Sequence, residues 1–333
     1  MQPFSGLFDK PESIMERMFH QVEKVILGKR ETIVHVFAAM LCGGHVLLED
    51  VPGVGKTMLV RAVARTLGCE CKRIQCTPDL LPSDITGVSI YNPKTMEFEF
   101  RPGPLFSSIV LVDELNRTSP KTQSALLEAM EEKRVTVDGV SYVLPDPFIL
   151  LATQNPLECE GTFALPEAQL DRFMMKLTLG YPNVQQEKKM LDGLLDKPPL
   201  PQLKPVIVQD EFIELQKAAS HIHVDDTLKD YIVRITAATR QHKELYLGAS
   251  PRASYALMRA AQAIAFIEGR SYMVPDDIRG LILPVLSHRL LLTSEARIAG
   301  KTAADILEDI LTSLPLPLLR FVSRKQGGYE NLV

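Results

Sequence analysis

The stretch Glu49-Asp50-Val51-Pro52-Gly53-Val54-Gly55-Lys56-Thr57 constrains the fold more than any other part of the chain. It follows an apolar run, His45-Val46-Leu47-Leu48, and opens a helical pattern from Met58 to Leu67, so that a strand, a loop and a helix N-terminus stand in series. A loop with glycines lets backbone N–H groups approach phosphate oxygens, and the helix N-terminus adds partial positive charge. The series predicts a nucleotide site in which Val51, Pro52, Gly53, Val54, Gly55 and Met58 surround the phosphates. Lys56 then reaches the β- and γ-phosphates and Thr57 holds Mg²⁺. The usual pattern begins with Gly where Asp50 stands, which leaves Gly53 and Gly55 as the loop glycines. A turn that only looks like a phosphate loop is the plain alternative; the flanking strand and helix argue against it.

Asp113 and Glu114 end a second apolar run, Ser108 to Val112, and such strand ends are where α/β sheets place their ligands. Asp113 is expected to bind Mg²⁺ through its shell and Glu114 to orient and polarise the attacking water. An Asp-Glu pair that merely faces solvent is the competing reading. Asn155, after the apolar run Phe148 to Thr153, is placed to hydrogen-bond a γ-phosphate or the water, although an isolated Asn-Pro is more often a turn. Arg172 follows a short helical stretch, Pro166 to Leu170, and could offer its guanidinium to a nucleotide held by another subunit. Arg252, one residue into a later helix, could touch the γ-phosphate from a second domain. Each arginine taken alone is more often solvated or salt-bridged.

A chain of 333 residues suits two domains. Residues 1–190 alternate strands and helices, which argues a parallel sheet covered on both faces. Two hairpins interrupt the rhythm. One lies within residues 78–106, around Asn92-Pro93-Lys94, and the other spans 134–143, with Asp138-Gly139 as its turn. A Pro-rich linker, 191–206, leads to an all-helical domain, 207–333, with helices predicted at Asp210 to His221, Asp225 to His242, Pro251 to Glu268, Pro275 to Arg289 and Lys301 to Leu311. The net charge of −4 gives no basic footprint for general nucleic-acid binding. The chain has no apolar run of membrane-spanning length and no leader-like N-terminus, so a cytoplasmic location is expected. Five cysteines, Cys42, Cys69, Cys71, Cys76 and Cys159, show no paired CxxC spacing and read as reduced, structural thiols.

Together these features resemble the AAA+ ATPases, and more closely their MoxR family. The resemblance covers nearly the whole chain: the phosphate loop, Leu111-Val112-Asp113-Glu114-Leu115-Asn116-Arg117, Ala152-Thr153-Gln154-Asn155-Pro156, Leu165-Pro166-Glu167-Ala168-Gln169-Leu170-Asp171-Arg172-Phe173, and Gly248-Ala249-Ser250-Pro251-Arg252-Ala253. It implies an α/β fold, a P-loop αβα sandwich with a parallel sheet followed by a smaller all-α lid. It makes Lys56 and Thr57 Walker A, Asp113 and Glu114 Walker B, Asn155 sensor 1, Arg172 the arginine finger and Arg252 sensor 2. ATP and Mg²⁺ are the implied cofactors, and a homo-oligomeric, six-membered ring is the implied assembly. Also implied are a partner with a von Willebrand factor A domain and a chaperone-like role in maturing proteins or inserting metal cofactors. Selectivity for adenine rests on the resemblance, with Val25, Ile26 and Gly28 as candidates for the base pocket. The hairpins are expected to face a pore or client, or else to cover sheet edges.

Three other readings compete: a chelatase-type motor subunit, a nucleic-acid motor, and a nucleotide-gated assembly switch with little turnover. Glu97 and Glu99 beside Lys94 argue against phosphate contact at the first hairpin. Glu114 and Arg172 argue against the switch. Replacing Lys56 by Ala is expected to abolish nucleotide binding in a fluorescence titration, and binding at wild-type affinity would remove the phosphate-loop reading.

Overall fold

The computed structural model describes residues 11–156, 161–196 and 200–317. Cys159 and the Lys197-Pro198-Pro199 part of the expected linker lie outside the described residues, as do the outer ends of both expected domains. The chain opens with α1 (Pro11–Glu23) and α2 (Arg30–Leu41), then alternates β1 (His45–Glu49), α3 (Lys56–Thr66) and β2 (Cys71–Gln75). A short α4 (Pro82–Thr86) and a hairpin, β3 (Gly87–Asn92) and β4 (Glu97–Pro102), come before β5 (Ile109–Asp113) and α5 (Pro120–Glu132). A second hairpin, β6 (Arg134–Val137) and β7 (Val140–Val143), leads to β8 (Ile149–Gln154), α6 (Glu167–Leu170) and β9 (Phe173–Leu177).

The sheet order is β2-β5-β8-β1-β9, and every pairing in it is parallel. Alternation of side chains sends Val46, Leu48, Leu111 and Leu151 to one face, against the helices α1 to α3 and the second domain. Leu47, Val110, Val112, Leu150 and Ala152 go to the other, against α5. Both faces are therefore buried, which is why these strands read as unbroken apolar runs.

The second hairpin turns at Asp138 and Gly139, with φ of 52° and 79°; two successive positive angles are those of a primed turn. The first hairpin is braced against it, since the rings of Phe100 and Tyr142 stack with centroids 3.9 Å apart and an interplanar angle of 15°. Beyond that brace the first hairpin leaves Tyr91, Met96 and Phe98 exposed.

After β9 come α7 (Val184–Asp196), α8 (Gln209–Ser220), α9 (Asp226–Gln241), β10 (Leu245–Leu247), α10 (Pro251–Ile267), α11 (Pro275–Arg279), α12 (Ile282–Leu286), β11 (Leu291–Leu292), α13 (Ser294–Ile298) and α14 (Ala303–Ser313). Helix α10 is central, packing on α1, α2, α8, α9, α11 and α12. The single helix expected over Pro275 to Arg289 is instead α11, α12 and a 3₁₀ turn at Ser287–Arg289. Pro284 is the reason: in a continuous helix its ring would clash with the carbonyl of Gly280, and it lacks the N–H that would bond there. Helix α7 was not predicted; its Val184 and Leu191 are exposed, so it lacks a buried stripe to read. The β10–β11 pair was not predicted either, because strands this short carry no period and their pairing is distant in sequence.

The two domains are joined by a buried cation. Arg289, 6% exposed, donates to Asp171 Oδ1 at 2.6 Å and to the carbonyls of Asp171, Phe173 and Met174 at 3.1, 2.8 and 3.2 Å, and also to that of Val285. Ser250, the N-cap of α10, donates to the other oxygen of Asp171 at 3.1 Å. Replacing Arg289 by Met removes the charged donor from Asp171 Oδ1 and from several carbonyls, and the expected loss is about 3–5 kcal/mol in denaturant unfolding. A loss below ~1 kcal/mol would show that the clamp is not structural.

Candidate functional site

At the C-terminal end of the sheet the loop after β1 meets the ends of β5 and β8. Gly53 and Gly55 have φ of 84° and 97°, angles that a Cβ would strain, and Gly55 caps α3 at its N-terminus. The Lys56 ammonium donates to the carbonyls of Asp50, Val51 and Gln154, the last two at 3.3 and 3.5 Å. The Thr57 hydroxyl lies 3.4 and 3.2 Å from the two oxygens of Asp113, whose carboxylate is 7% exposed. Thr153 links the strand ends: its hydroxyl donates to Asp113 Oδ1 at 3.2 Å and accepts from the Glu114 N–H at 2.9 Å. Buried Asn155 stands just past β8, and its carbonyl accepts from Asn116 at 3.4 Å. Buried Gln154 Oε1 and Asn116 Oδ1 have no hydrogen-bond partner among the described residues. Orphaned atoms of this kind are satisfied by a ligand or its waters.

Asp50, the departure from the usual loop pattern, has a structural role. Its carboxylate accepts from the backbone N–H of Val51 at 2.9 Å, and from those of Leu179 and Gly180 at 2.8 and 2.6 Å. It therefore fastens the start of the phosphate loop to the segment that leaves β9 for α7, a bond that glycine could not make. Among the residues expected to line a base pocket, Gly28 lies so close to Gln186 that any Cβ there would collide with it, and Ile26 lies over Gly55. Val25 is partly buried against the same core.

Glu114 has φ of 59°, rare for a residue with a side chain and frequent at functional sites. Its carboxylate accepts from Gln75 Nε2 at 2.9 Å and pairs with Arg117 at 3.4 Å. Cys76 lies beside them; burial first, then the nearby Asp113 and Glu114 carboxylates, push its thiol up to about 12, so it remains a thiol.

The two arginines lie elsewhere. Arg172 immediately precedes β9, whose first residue, Phe173, pairs with His45 at the start of β1. The phosphate loop follows the other end of β1, five residues on, a strand length of roughly 16 Å. Arg172 donates to the Leu127 carbonyl at 3.1 Å and is ion-paired with Glu131 on α5. Arg252, expected to reach the γ-phosphate from the lid, instead stands 3.5 Å from that same Glu131. The end of α5 is held at this edge by His45, which accepts from the Leu150 N–H at Nδ1 (3.0 Å) and so donates from Nε2 to the Met130 carbonyl (3.1 Å). Burial lowers His45 to about 4 and keeps it neutral in that tautomer. Glu131 thus gathers both arginines at the end of the sheet opposite to Lys56.

Sequence reasoning missed Gln75, Thr153, Glu131, Asp171 and Arg289. Thr153 could have been found, as a hydroxyl in the otherwise apolar run Ile149-Leu150-Leu151-Ala152. Glu131 gave no signal, because it is one of several acids on a surface helix.

Thr57 and Asp113 fit Mg²⁺: they offer hard oxygen ligands at one point beside the loop, and this ion is usually held by one or two carboxylates together with substrate phosphates and water. Among the described residues no group of three or more His, Cys, Asp or Glu is arranged to hold a metal by itself, and no helix is long and apolar enough to cross a membrane.

Comparison with known proteins adds to this geometry. Residues 45–175 match the model of an ATPase family associated with various cellular activities (AAA), and residues 237–310 match an AAA lid domain. The chain is 53% identical to the uncharacterized protein YeaC of Bacillus subtilis, over 93% of this chain and 97% of that protein. It is 39% identical to Chaperone MoxR1 of Mycobacterium tuberculosis, over 93% of this chain and 84% of that protein. The crystal structure of a Cytophaga hutchinsonii protein assigned as an ATPase superposes with a TM-score of 0.87 at 38% identity, covering 92% of this chain and 96% of that one.

Asp50→Gly would restore the usual loop residue, yet it is expected to destabilise the chain by about 2 kcal/mol in denaturant unfolding and to weaken nucleotide binding, because three backbone N–H groups lose a charged acceptor. A variant as stable as the wild type would show that Asp50 is no more than a tolerated substitution.

Proposed function

The chain belongs to the MoxR family of AAA+ ATPases, and from that premise we propose that it hydrolyses ATP with Mg²⁺ at sites shared between neighbouring subunits of a ring, six subunits being the favoured count. The observation that carries the shared site is the position of Arg172 and Arg252 at the end of the sheet opposite to the chain's own phosphate loop. Side chains a strand length away cannot serve their own nucleotide. A ring repeats one interface, so each subunit can present both arginines to the next subunit's nucleotide.

In this reading Lys56 and the loop N–H groups bind the phosphates. Thr57 and Asp113 hold Mg²⁺, which when bound neutralises charge on the β- and γ-phosphates. Glu114 orients and polarises the attacking water, and Asn155 bonds that water or the γ-phosphate. Arg172 and Arg252 of the neighbouring subunit stabilise charge developing on the transferred phosphoryl group. Because Asp171 is clamped by Arg289 and Ser250, a change at one nucleotide would move the next subunit's lid.

The work so produced is proposed to act on a protein client, in chaperone-like maturation or metal-cofactor insertion with a von Willebrand factor A domain partner. The first hairpin supports a polypeptide over a nucleic acid: it exposes Tyr91, Met96 and Phe98, and it carries Glu97 and Glu99. Phosphate binding would need a basic tip instead.

ATP hydrolysis measured across a concentration series, with mass by light scattering, tests the shared site. Specific activity should rise as a large species forms. Glu114→Gln should assemble and bind ATP but lose about 10²–10⁴-fold in turnover, and Arg172→Ala about 10³-fold. Mixing these two inactive variants should restore part of the activity, because some interfaces then pair an intact Arg172 with an intact Glu114. No recovery at any ratio would rule out the shared site.

A further inference from the structure

Two acids, Glu131 and Glu132, end α5, where the helix dipole disfavours negative charge and the last turn has no basic residue to offset it. Two guanidiniums from elsewhere in the chain compensate Glu131. Its Oε2 pairs with Arg172 Nη1 and its Oε1 stands 3.5 Å from Arg252 Nη1, so one carboxylate serves two like charges. Both arginines are bound through Nη1, and among the described residues Nη2 of neither has a partner. The side chains of Arg172 and Arg252 are 28% and 45% exposed, so an acceptor from outside the subunit can reach the pair.

The supports on either side of this contact are fixed. On α5, the Leu127 carbonyl accepts from Arg172 and the Met130 carbonyl from His45, and both residues are buried. On the other side, Asp171 joins the segments that carry the arginines: it precedes Arg172, and its carboxylate accepts from Ser250, the N-cap of the helix whose second residue is Arg252. Asp171 therefore fixes where the two arginines start, and Glu131 fixes where their guanidiniums end. Without an anion between them, two such cations repel and take separate rotamers. With it, the trio keeps one net positive charge and holds two donors at one point, as a transferred phosphoryl group requires. A tie between the domains is the plain alternative, since Arg252 belongs to the second one. That contact is partly exposed and 3.5 Å long, and adds little to stability beside the buried Arg289 clamp.

We propose that Glu131 is the positioning residue for the two arginines, holding Arg172 and Arg252 as a pre-formed pair for the γ-phosphate of the neighbouring subunit's nucleotide. It acts through the guanidiniums, so its effect falls on the next subunit's turnover and not on its own. The inference rests on the proposed shared site and deepens it.

The test is steady-state ATP hydrolysis by the full chain, at concentrations where light scattering shows the large species, with Glu131→Gln, which keeps the side chain's shape and removes its charge. This variant should assemble and unfold as the wild type does and bind ADP in a calorimetric titration within about twofold of the wild-type affinity, yet lose about 10²-fold in kcat, the cost of a misplaced catalytic group. Glu131→Ala carries the same expectation should Glu131→Gln not fold. With Arg252→Ala in place there is no second cation to gather, and adding Glu131→Gln should cost far less than it does in the wild type. A mixture of Glu131→Gln and Glu114→Gln subunits should exceed the sum of their separate rates, because intact arginines then face an intact nucleotide site. The mixture of Arg172→Ala with Glu114→Gln decides the underlying reading: if it stays inactive, the shared site fails whatever Glu131 does. If it recovers while the Glu131→Gln mixture does not, Glu131 serves its own subunit and the proposal is overturned. Wild-type turnover by a folded, assembled Glu131→Gln ring overturns it too, as do additive effects of Glu131→Gln and Arg252→Ala. A fall in stability with kcat unchanged would leave the domain tie in its place.

Discussion

A parallel sheet has two unlike ends, and the rest of this molecule depends on that polarity. The loops after β1, β5 and β8 converge at one end because all three strands run the same way, which brings Lys56, Thr57, Asp113, Glu114 and Asn155 together from three distant parts of the chain. The segment before β9 lies at the other end for the same reason, and it carries Arg172. Strand direction alone therefore separates Lys56 and the two carboxylates from the Arg172 guanidinium. An antiparallel β9 would have put Arg172 beside its own phosphate loop.

Polar contacts tie those two ends to the lid. Arg289 and Ser250 hold Asp171, the residue before Arg172, while Glu131 holds Arg172 and Arg252 together. At the opposite end, Asp50 binds the backbone at Leu179 and Gly180, where the chain leaves β9 for α7. Each end of the sheet is thus anchored to the path into the second domain. Such bonds are costly to break without replacement, so displacing either end of the sheet from the second domain would cost the contacts of a few identifiable side chains.

The end of the sheet that carries Lys56 is also densely cross-linked within itself. Asp113 touches Thr57, Thr153 and Arg73, and Glu114 touches Gln75 and Arg117. Two carboxylates so close at the end of a buried strand would repel strongly without these donors. Their environments differ: Asp113 is enclosed, whereas Glu114, in its left-handed conformation, points toward the edge strand. The neighbouring acids thereby sit in different environments, which favours the separate tasks proposed for them, one at the cation and the other at the water.

The sequence by itself determined the sheet strands and the loop. Val46 to Leu48 and Ile109 to Val112 are apolar without alternation because both faces of the sheet are covered, and Gly53 and Gly55 stand where positive φ is required. Local rules of this kind operate over a few residues, so they are legible in the chain. Thr153 was legible too, as a polar residue in an apolar run, but its two partners were not. Only the tertiary structure decided that Asp50 is an acceptor for Leu179 and Gly180, that Glu131 gathers two arginines, that Arg252 faces away from its own loop, and that Arg289 clamps Asp171. These contacts join residues 40 or more positions apart through single side chains. No periodicity or spacing encodes such a meeting; it exists only once strand polarity and lid packing have brought the parts into register.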